Sequence, residues 1–209
     1  MYNWTLFCRK LDFSQSDMDT LRQYASENFE TFRIYPMSIN FAGGSYYFLL
    51  KDACEKKLVV FGKGNYFNDF DGEEIDVNGI LAKICSLNNY NCDIIRKIFP
   101  FTNPTNHKGK KITIGLGDRL GLASPGHIRL IRDKDVFPVL AQQSMRELKL
   151  TGRTYYDVLS SAAWSVFQEG YVEGFGADGD HLKTPEEINY ALKYGFTMIT
   201  LDCSDYINN

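Results

Sequence analysis

The residues with the clearest chemical potential lie in one short stretch of the sequence, Ala177 to Lys183. It places two carboxylates and an imidazole, those of Asp178, Asp180 and His181, within four residues. Mixed oxygen and nitrogen donors suit a divalent cation of the zinc, nickel or manganese type. The alternative is structural, with Asp178 capping a loop and His181 donating a hydrogen bond to a backbone carbonyl. Lys183 could neutralise a substrate carboxylate or remain solvated.

A strand and a helix must position this stretch. Tyr171 to Ala177 is predicted as a strand, and Phe196 to Leu201 as a second one. Between them, Thr184 and Glu187 form the capping box of a helix that ends at Gly195. Reactive groups of α/β folds lie beyond the carboxyl ends of parallel strands, so the stretch is predicted to be a loop at the functional edge.

The same order of strand, polar cluster and helix occurs upstream. Strands are predicted over Ile112 to Leu116 and over Val136 to Leu140. With the two later strands, the polar clusters that follow are Asp118/Arg119, Gln142/Gln143, Asp178/Asp180/His181 and Asp202/Asp205. Such clusters at equivalent ends of successive strands are typical of the working face of a (β/α) barrel. The predicted fold is therefore α/β, a partial TIM-type barrel of about four βα units.

Several side chains of these clusters have two open interpretations. Asp118 and Arg119 could contact a substrate or form an internal ion pair. Gln142 and Gln143 suit sugar hydroxyls, but alternation along a strand would place only one of them in the site.

Two basic side chains near the clusters, those of His127 and Arg146, also have two possible interpretations each. His127 follows a predicted tight turn, Ser124 to Gly126, and could act over the site as an acid, base or ligand, or could simply pack. Arg146 could bind a carboxylate through both arms of its guanidinium group, or lie on the surface side of a helix.

The first hundred residues show no catalytic pattern. Ser45 to Leu50 and Lys57 to Phe61 are predicted to form a β-hairpin. Asp76 is predicted to cap one helix, and Asp93 a short one that stops at Pro100.

The chain is predicted to contain two domains. Residues 1–106 would form a small α+β domain, and residues 107–209 the first half of the barrel that carries the site. The boundary falls in the polar segment Asn103 to Lys111, which includes a proline and a glycine.

Composition narrows the class of protein further. Hydrophobic residues make up 44% and charged residues 23% of the 209 residues, as in an ordinary globular protein. A net charge of −3 gives no basic field for nucleic acid, and no apolar run is long enough to span a bilayer. The five cysteines form no CxxC pair, and the first residues lack the order of a secretory signal. Reduced, mostly buried thiols in a cytoplasmic protein are expected.

Four long blocks of the sequence resemble the tagaturonate epimerase family. They are rich in unusual residues and cover most of residues 112–205: Gly115 to Ile128, Pro138 to Leu148, Thr151 to Phe167 and Gly174 to Ile188. The resemblance implies interconversion of tagaturonate and fructuronate in hexuronate breakdown, with a divalent metal. Because family members are longer, it also implies that this chain corresponds to the N-terminal part.

The reaction that the resemblance implies needs a metal, a base and a cation for the substrate carboxylate. As a hypothesis that rests on their shared strand end, Lys183 or Arg119 takes the carboxylate. We assign the metal to His181 and Asp178, the catalytic base to Asp180 with His127 in reserve, and substrate binding to Asp118, Arg119, Gln142 and Lys183. The expected partner is a small sugar acid, together with a homo-oligomer or a missing C-terminal half. The alternatives are a metal-dependent sugar isomerase or aldolase with the same barrel, and a non-catalytic module that binds sugar acids.

Overall fold

The computed structural model describes residues 4–11, 17–26, 32–107 and 109–207. The chain divides into two compact units. The first consists of Met1–Ile98 with Phe167–Gly170, and the second of Phe99–Val166 with Tyr171–Asn209. Every candidate site residue named above belongs to the second unit.

The described part of the first unit contains an antiparallel sheet. Its strands are β1 (Arg33–Ile34), β2 (Asn40–Ala42), β3 (Ser45–Lys51), β4 (Lys56–Phe61), β5 (Glu73–Val77) and β6 (Ile80–Ser86). They are ordered β1-β3-β4-β6-β5, with β2 paired to β3. The helices are α1 (Thr5–Cys8), α2 (Met18–Ala25) and α3 (Asn89–Ile98). The predicted hairpin is confirmed, since β3 and β4 pair antiparallel.

The predicted helix after Asp76 is wrong, because this segment is the β5–β6 hairpin. Asn78 and Gly79 form its turn, with φ of 55° and 84°, and the Asp76 carboxylate accepts a hydrogen bond from the Gly79 amide at 2.9 Å. An Asn-Gly pair between apolar residues is a strong hairpin signal, because both positions tolerate positive φ. The next helix begins at Asn89 rather than at Asp93.

The second unit is built on a parallel sheet of four strands within its described residues. The strands are β7 (Thr113–Gly115), β8 (Phe137–Ser144), β9 (Gly176–Leu182) and β10 (Met198–Leu201). The helices are α4 (Ser124–Ile131), α5 (Met145–Thr151), α6 (Tyr155–Glu169) and α7 (Pro185–Lys193). The order β10-β9-β8-β7 follows the chain, and each neighbouring pair is parallel, which confirms the predicted consecutive parallel strands.

Two predicted loops of this unit are in fact regular structure. The strand predicted to end at Ala177 runs instead from Gly176 to Leu182, so Asp178, Asp180 and His181 belong to β9. The tight turn predicted at Ser124 is the first turn of α4.

Apolar side chains of the helices and strands form the core of the second unit. Ile128 of α4, Leu148 of α5 and Leu159 of α6 are buried against Leu140 of β8 and Ala177 of β9. The sheet edges remain open. Every residue of β7 is exposed, and Leu201 in β10 is 60% exposed.

Three of the five cysteines are buried, as the sequence predicts, and none of the five, which all lie in the described residues, forms a disulfide bond. No helix in the described part of the chain is long and apolar enough to cross a membrane.

Candidate functional site

A polar cavity of about 740 Å³ lies at the carboxyl ends of the parallel strands. Residues at or just past the ends of all four strands line it, together with both ends of α5 and one residue of α7. The lining residues are Arg119, Ser144, Met145, Arg146, Glu147, Leu150, Thr151, Asp180, His181, Lys183, Glu187 and Asp202. Six of the residues singled out from the sequence are thus brought together there: Arg119, Arg146, Asp180, His181, Lys183 and Asp202.

Asp180 is an acidic residue of the cavity lining whose pKa is shifted by its surroundings. Its side chain is 21% exposed, and burial raises its pKa above the ordinary aspartate value. The neighbouring carboxylates of Asp178 and Glu147 raise the pKa further, whereas His181 and Arg119 oppose the shift. A carboxyl group with a raised pKa in a cavity is suited to exchange protons with a ligand.

His181 stands beside Asp180 in an unusual backbone conformation. Its Nε2 atom lies 3.8 Å from Oδ1 of Asp180, and its side chain is 61% exposed. Its φ of 56° is in the left-handed region, which breaks the side-chain alternation of β9. Histidine and asparagine adopt this conformation more often than most other non-glycine residues, so the backbone of β9 can turn at His181.

Asp178 lies apart from the cavity and joins three strands. It is fully buried in β9, and its Oδ2 accepts hydrogen bonds from Nε2 of Gln142 in β8 at 3.2 Å and from the hydroxyl of Thr200 in β10 at 2.8 Å. Its Oδ1 has no hydrogen-bond partner among the described residues. Asp178 and Gln142, proposed as a metal ligand and a substrate contact, therefore bind each other beneath the cavity lining.

The structure also places Asp118 and His127 away from the cavity lining. The Asp118 carboxylate accepts hydrogen bonds from the amides of Leu122, Ala123 and Ser124 at 2.7–2.9 Å. Burial alone would raise the pKa of Asp118, but these hydrogen bonds outweigh it and lower the pKa. Asp118 thus fixes the start of α4. His127 is half-buried in α4, and its Nδ1 has no hydrogen-bond partner in the described residues.

Two of the basic side chains in the cavity lining are already paired. Nζ of Lys183 lies 2.9 Å from Oδ2 of Asp205 and 3.6 Å from Oδ2 of Asp202, and the hydrogen bond to Asp205 raises the pKa of Lys183. Nε of Arg119 forms an ion pair with Oε1 of Glu147.

Arg153 is a supporting residue that the sequence did not single out. Its guanidinium group donates to the backbone oxygens of Asp118 at 3.3 Å and Arg119 at 3.0 Å. It also donates to the backbone oxygen of Asp157 at 3.0 Å and to the Ser161 hydroxyl at 2.7 Å, both in α6. Arg153 therefore ties the segment that carries Arg119 to a helix.

Replacing Arg153 with methionine should lower the free energy of unfolding by about 1.5–3 kcal/mol, the range for hydrogen bonds that involve a charged group. Urea denaturation measures this loss, and hydrogen exchange should show weaker protection of residues 118–124. Lys149→Met, which removes an exposed cation from α5, is the control and should change neither quantity. Equal stability and equal exchange in the Arg153 variant would show that the guanidinium group does not hold the segment.

The donor groups provide only part of a metal site. Within residues 4–11, 17–26, 32–107 and 109–207, no three His, Cys, Asp or Glu side chains lie together as a metal ion requires. Asp180 and His181 offer one oxygen and one nitrogen donor at the cavity, whereas Asp178 is buried and hydrogen-bonded elsewhere. A metal ion at this cavity would therefore need further ligands beyond this pair.

The four-stranded parallel sheet, with a cavity lined by charged side chains at its carboxyl edge, defines the fold as α/β. A family model described as UxaE, tagaturonate epimerase, matches residues 35–209. The chain belongs to this tagaturonate epimerase family, as the four blocks of sequence indicate.

Named relatives agree with this assignment. The chain is 42% identical over 183 residues to the tagaturonate/fructuronate epimerase of Thermotoga maritima, which covers 85% of this chain and 37% of the relative. The native crystal structure of the fructuronate-tagaturonate epimerase UxaE from Cohnella laeviribosi superposes with a TM-score of 0.81 at 46% identity, over 91% of this chain and 37% of that one. The crystal structure of the same enzyme with one glycerol bound also superposes with a TM-score of 0.81, at 48% identity. The chain thus spans little more than a third of the length of these relatives.

Proposed function

We propose that this chain provides the first half of a TIM-type barrel in a protein that interconverts tagaturonate and fructuronate. The observation that carries the proposal is the cavity at the ends of four consecutive parallel strands, with Asp180 half-buried in its wall, in a member of this family. Both sugar acids have six carbons, and a cavity of about 740 Å³ has room for such a molecule.

The two sugar acids differ in configuration at C4, where carbon atoms are counted from the end nearest the ketone at C2. C4 lies two bonds from the C2 carbonyl, so the carbonyl does not acidify the hydrogen on C4. Simple enolisation therefore cannot invert this centre. Cleavage and re-formation of the C3–C4 bond can invert it, because the aldehyde formed at C4 can rotate before the bond closes on its other face.

In this route Asp180 accepts the proton of the C4 hydroxyl group as the C3–C4 bond breaks. The electrons of that bond pass to C3 and the C2 oxygen as an enediolate, and C4 becomes an aldehyde. Bond formation in the reverse direction returns the proton from Asp180 to the new C4 hydroxyl group. The raised pKa of Asp180 suits this exchange, because the carboxyl group can hold the proton between the two steps.

A divalent cation of the zinc, nickel or manganese type is part of the proposal. His181 would supply one of its ligands, and residues outside the described part of the chain would supply the others. When bound, the cation would stabilise negative charge on the oxygen at C2.

The open edges of the parallel sheet support the view that more structure completes the barrel. Ile112 and Ile114 at one edge are 58% and 39% exposed, and Met198 and Leu201 at the other are 40% and 60% exposed. Exposed apolar edges of this kind favour association with another segment or chain. We propose that a C-terminal half or a second copy covers them.

Turnover of tagaturonate in deuterated water tests the function and the route together. We expect the full-length protein to produce fructuronate without deuterium at C4, because the C4–H bond never breaks. Deuterium at C4 would contradict cleavage of the C3–C4 bond while leaving the epimerase activity in place. Binding of tagaturonate without any product would instead identify a sugar-acid binding module.

A further inference from the structure

Of the three lysine and arginine side chains that line the cavity, one forms no ion pair with the described residues. Lys183 is held by Asp205 and Asp202, and Arg119 is paired with Glu147. An ion pair presents little net charge to a ligand, and breaking it to bind another carboxylate gains little. The third side chain of this group, that of Arg146, forms no ion pair and no hydrogen bond with the described residues.

The position of Arg146 is well defined by its helix. It is the second residue of α5, whose start is fixed by the reciprocal hydrogen bonds of Ser144 and Glu147. Leu148, two residues further on, is only 4% exposed and anchors the helix in the core. The Arg146 side chain is exposed in the cavity wall, so its guanidinium group is accessible to a ligand.

We propose that Arg146, rather than Lys183 or Arg119, binds the carboxylate of the sugar acid and so makes the site prefer uronates to neutral ketoses. This inference rests on the proposed function. A guanidinium group matches a carboxylate with two parallel hydrogen bonds, which fixes orientation as well as charge. Because Asp180 lies in the wall of the same cavity, a substrate held at C6 by Arg146 can present its C4 hydroxyl group to that base.

The sharpest test compares two substrates. Tagaturonate carries the carboxylate, whereas the neutral ketohexose tagatose has a hydroxymethyl group at the same carbon. For Arg146→Met in the full-length protein, kcat/KM for tagaturonate should fall about 10²-fold more than kcat/KM for tagatose, as expected for a lost charge-assisted hydrogen-bonded pair. Most of the loss should appear in KM. Arg146→Lys should fall between the wild type and the methionine variant, because lysine keeps the charge but not the paired geometry.

Matched variants show whether Arg146, Arg119 or Lys183 binds the carboxylate. Lys149→Met removes a positive charge from the same helix outside the cavity lining and should leave the substrate preference unchanged. Arg119→Met and Lys183→Met should change the kinetics of both substrates in similar proportion, because each residue is part of an internal ion pair. Loss of uronate preference in either of these two variants, with the preference intact in Arg146→Met, would overturn the assignment.

A binding measurement separates this inference from the proposed function. If the wild type turns over neither sugar, the proposed epimerase activity fails, and calorimetric titration with tagaturonate then decides the role of Arg146. Weaker binding of tagaturonate by about 10²-fold in Arg146→Met supports the inference, and equal binding refutes it. Circular dichroism shows whether the variant is folded, and Arg146→Lys provides a second variant that keeps the charge of the surface.

Discussion

Replacing Asp180 with asparagine should lower the turnover number of the full-length protein by about 10²–10⁴-fold, the usual contribution of a positioned proton-transfer group. Asparagine has nearly the same shape as aspartate, but its amide cannot take the proton of the C4 hydroxyl group. The side chain lies in the cavity wall and is 21% exposed, so the exchange should leave the fold intact. Initial rates with tagaturonate, together with binding of tagaturonate by calorimetry, separate loss of chemistry from loss of affinity.

Asp133→Asn is the control for this variant. Asp133 is an exposed aspartate outside the cavity lining, and its replacement should change neither the rate nor the binding. An Asp180→Asn enzyme that works at the wild-type rate would exclude Asp180 as the base. His127, the other base considered, lies outside the cavity lining and would need a rearrangement of α4 to take its place.

Replacing His181 with alanine should remove bound metal and activity together. The imidazole of His181 is the proposed nitrogen ligand, and no group of three possible ligands in the described residues could replace it. Loss of an outer-shell partner alone costs roughly 10–100-fold in metal affinity, and loss of a direct ligand should cost at least as much. Metal content measured by elemental analysis after gel filtration gives a result that does not depend on turnover.

His107→Ala is the matched histidine variant. His107 is exposed outside the cavity lining, where its Nδ1 accepts a hydrogen bond from the Gly109 amide at 3.1 Å. The His107→Ala protein should retain the metal content and the turnover rate of the wild type. A His181→Ala protein with full metal content and normal turnover would contradict the assignment, and full metal content with low turnover would identify His181 as a group that acts on the substrate.

Local signals in the sequence predict many elements of the fold well. Thr184 and Glu187 form the expected capping box, and Gly195 follows α7 with the positive φ of 87° that suits glycine. Such features depend on a few neighbouring residues, so one sequence is enough to recognise them. The hairpin of Asn78 and Gly79 was equally local, but the apolar residues after it also fit helical spacing, and that pattern was misleading.

The position of β9 shows a limit of hydrophobic patterns. Tyr171 to Ala177 has the apolar character of a buried strand, yet the strand runs from Gly176 to Leu182 and includes three charged or ionisable residues. One edge of the strand lines a polar cavity, and its buried carboxylate is balanced by hydrogen bonds from the neighbouring strands. Burial of a polar residue of this kind becomes understandable only when its partners, Gln142 and Thr200, are known.

The location of the candidate site could be predicted from the sequence, but the roles of its individual residues could be predicted less well. The rule that strand ends gather functional groups correctly brought Arg119, Asp180, His181 and Lys183 to one cavity. It could not show which cations are neutralised, because Asp205 and Glu147 reach theirs through tertiary contacts across 22 and 28 residues of sequence. The contribution of Arg153 depends on contacts across 34 residues and has no short motif of its own.

The left-handed backbone conformation of His181 opposes the stability of the fold to the proposed function of the imidazole. A non-glycine residue at a φ of 56° carries strain of about 1 kcal/mol or more, and glycine at the same position would be free of it. Mutant libraries screened only for heat tolerance would therefore enrich glycine at position 181 and discard the imidazole. Alanine would retain the strain and lose the ring. Selection for thermal stability alone would thus remove the residue proposed as the nitrogen ligand. Stability screens of this family therefore need an activity measurement at every round.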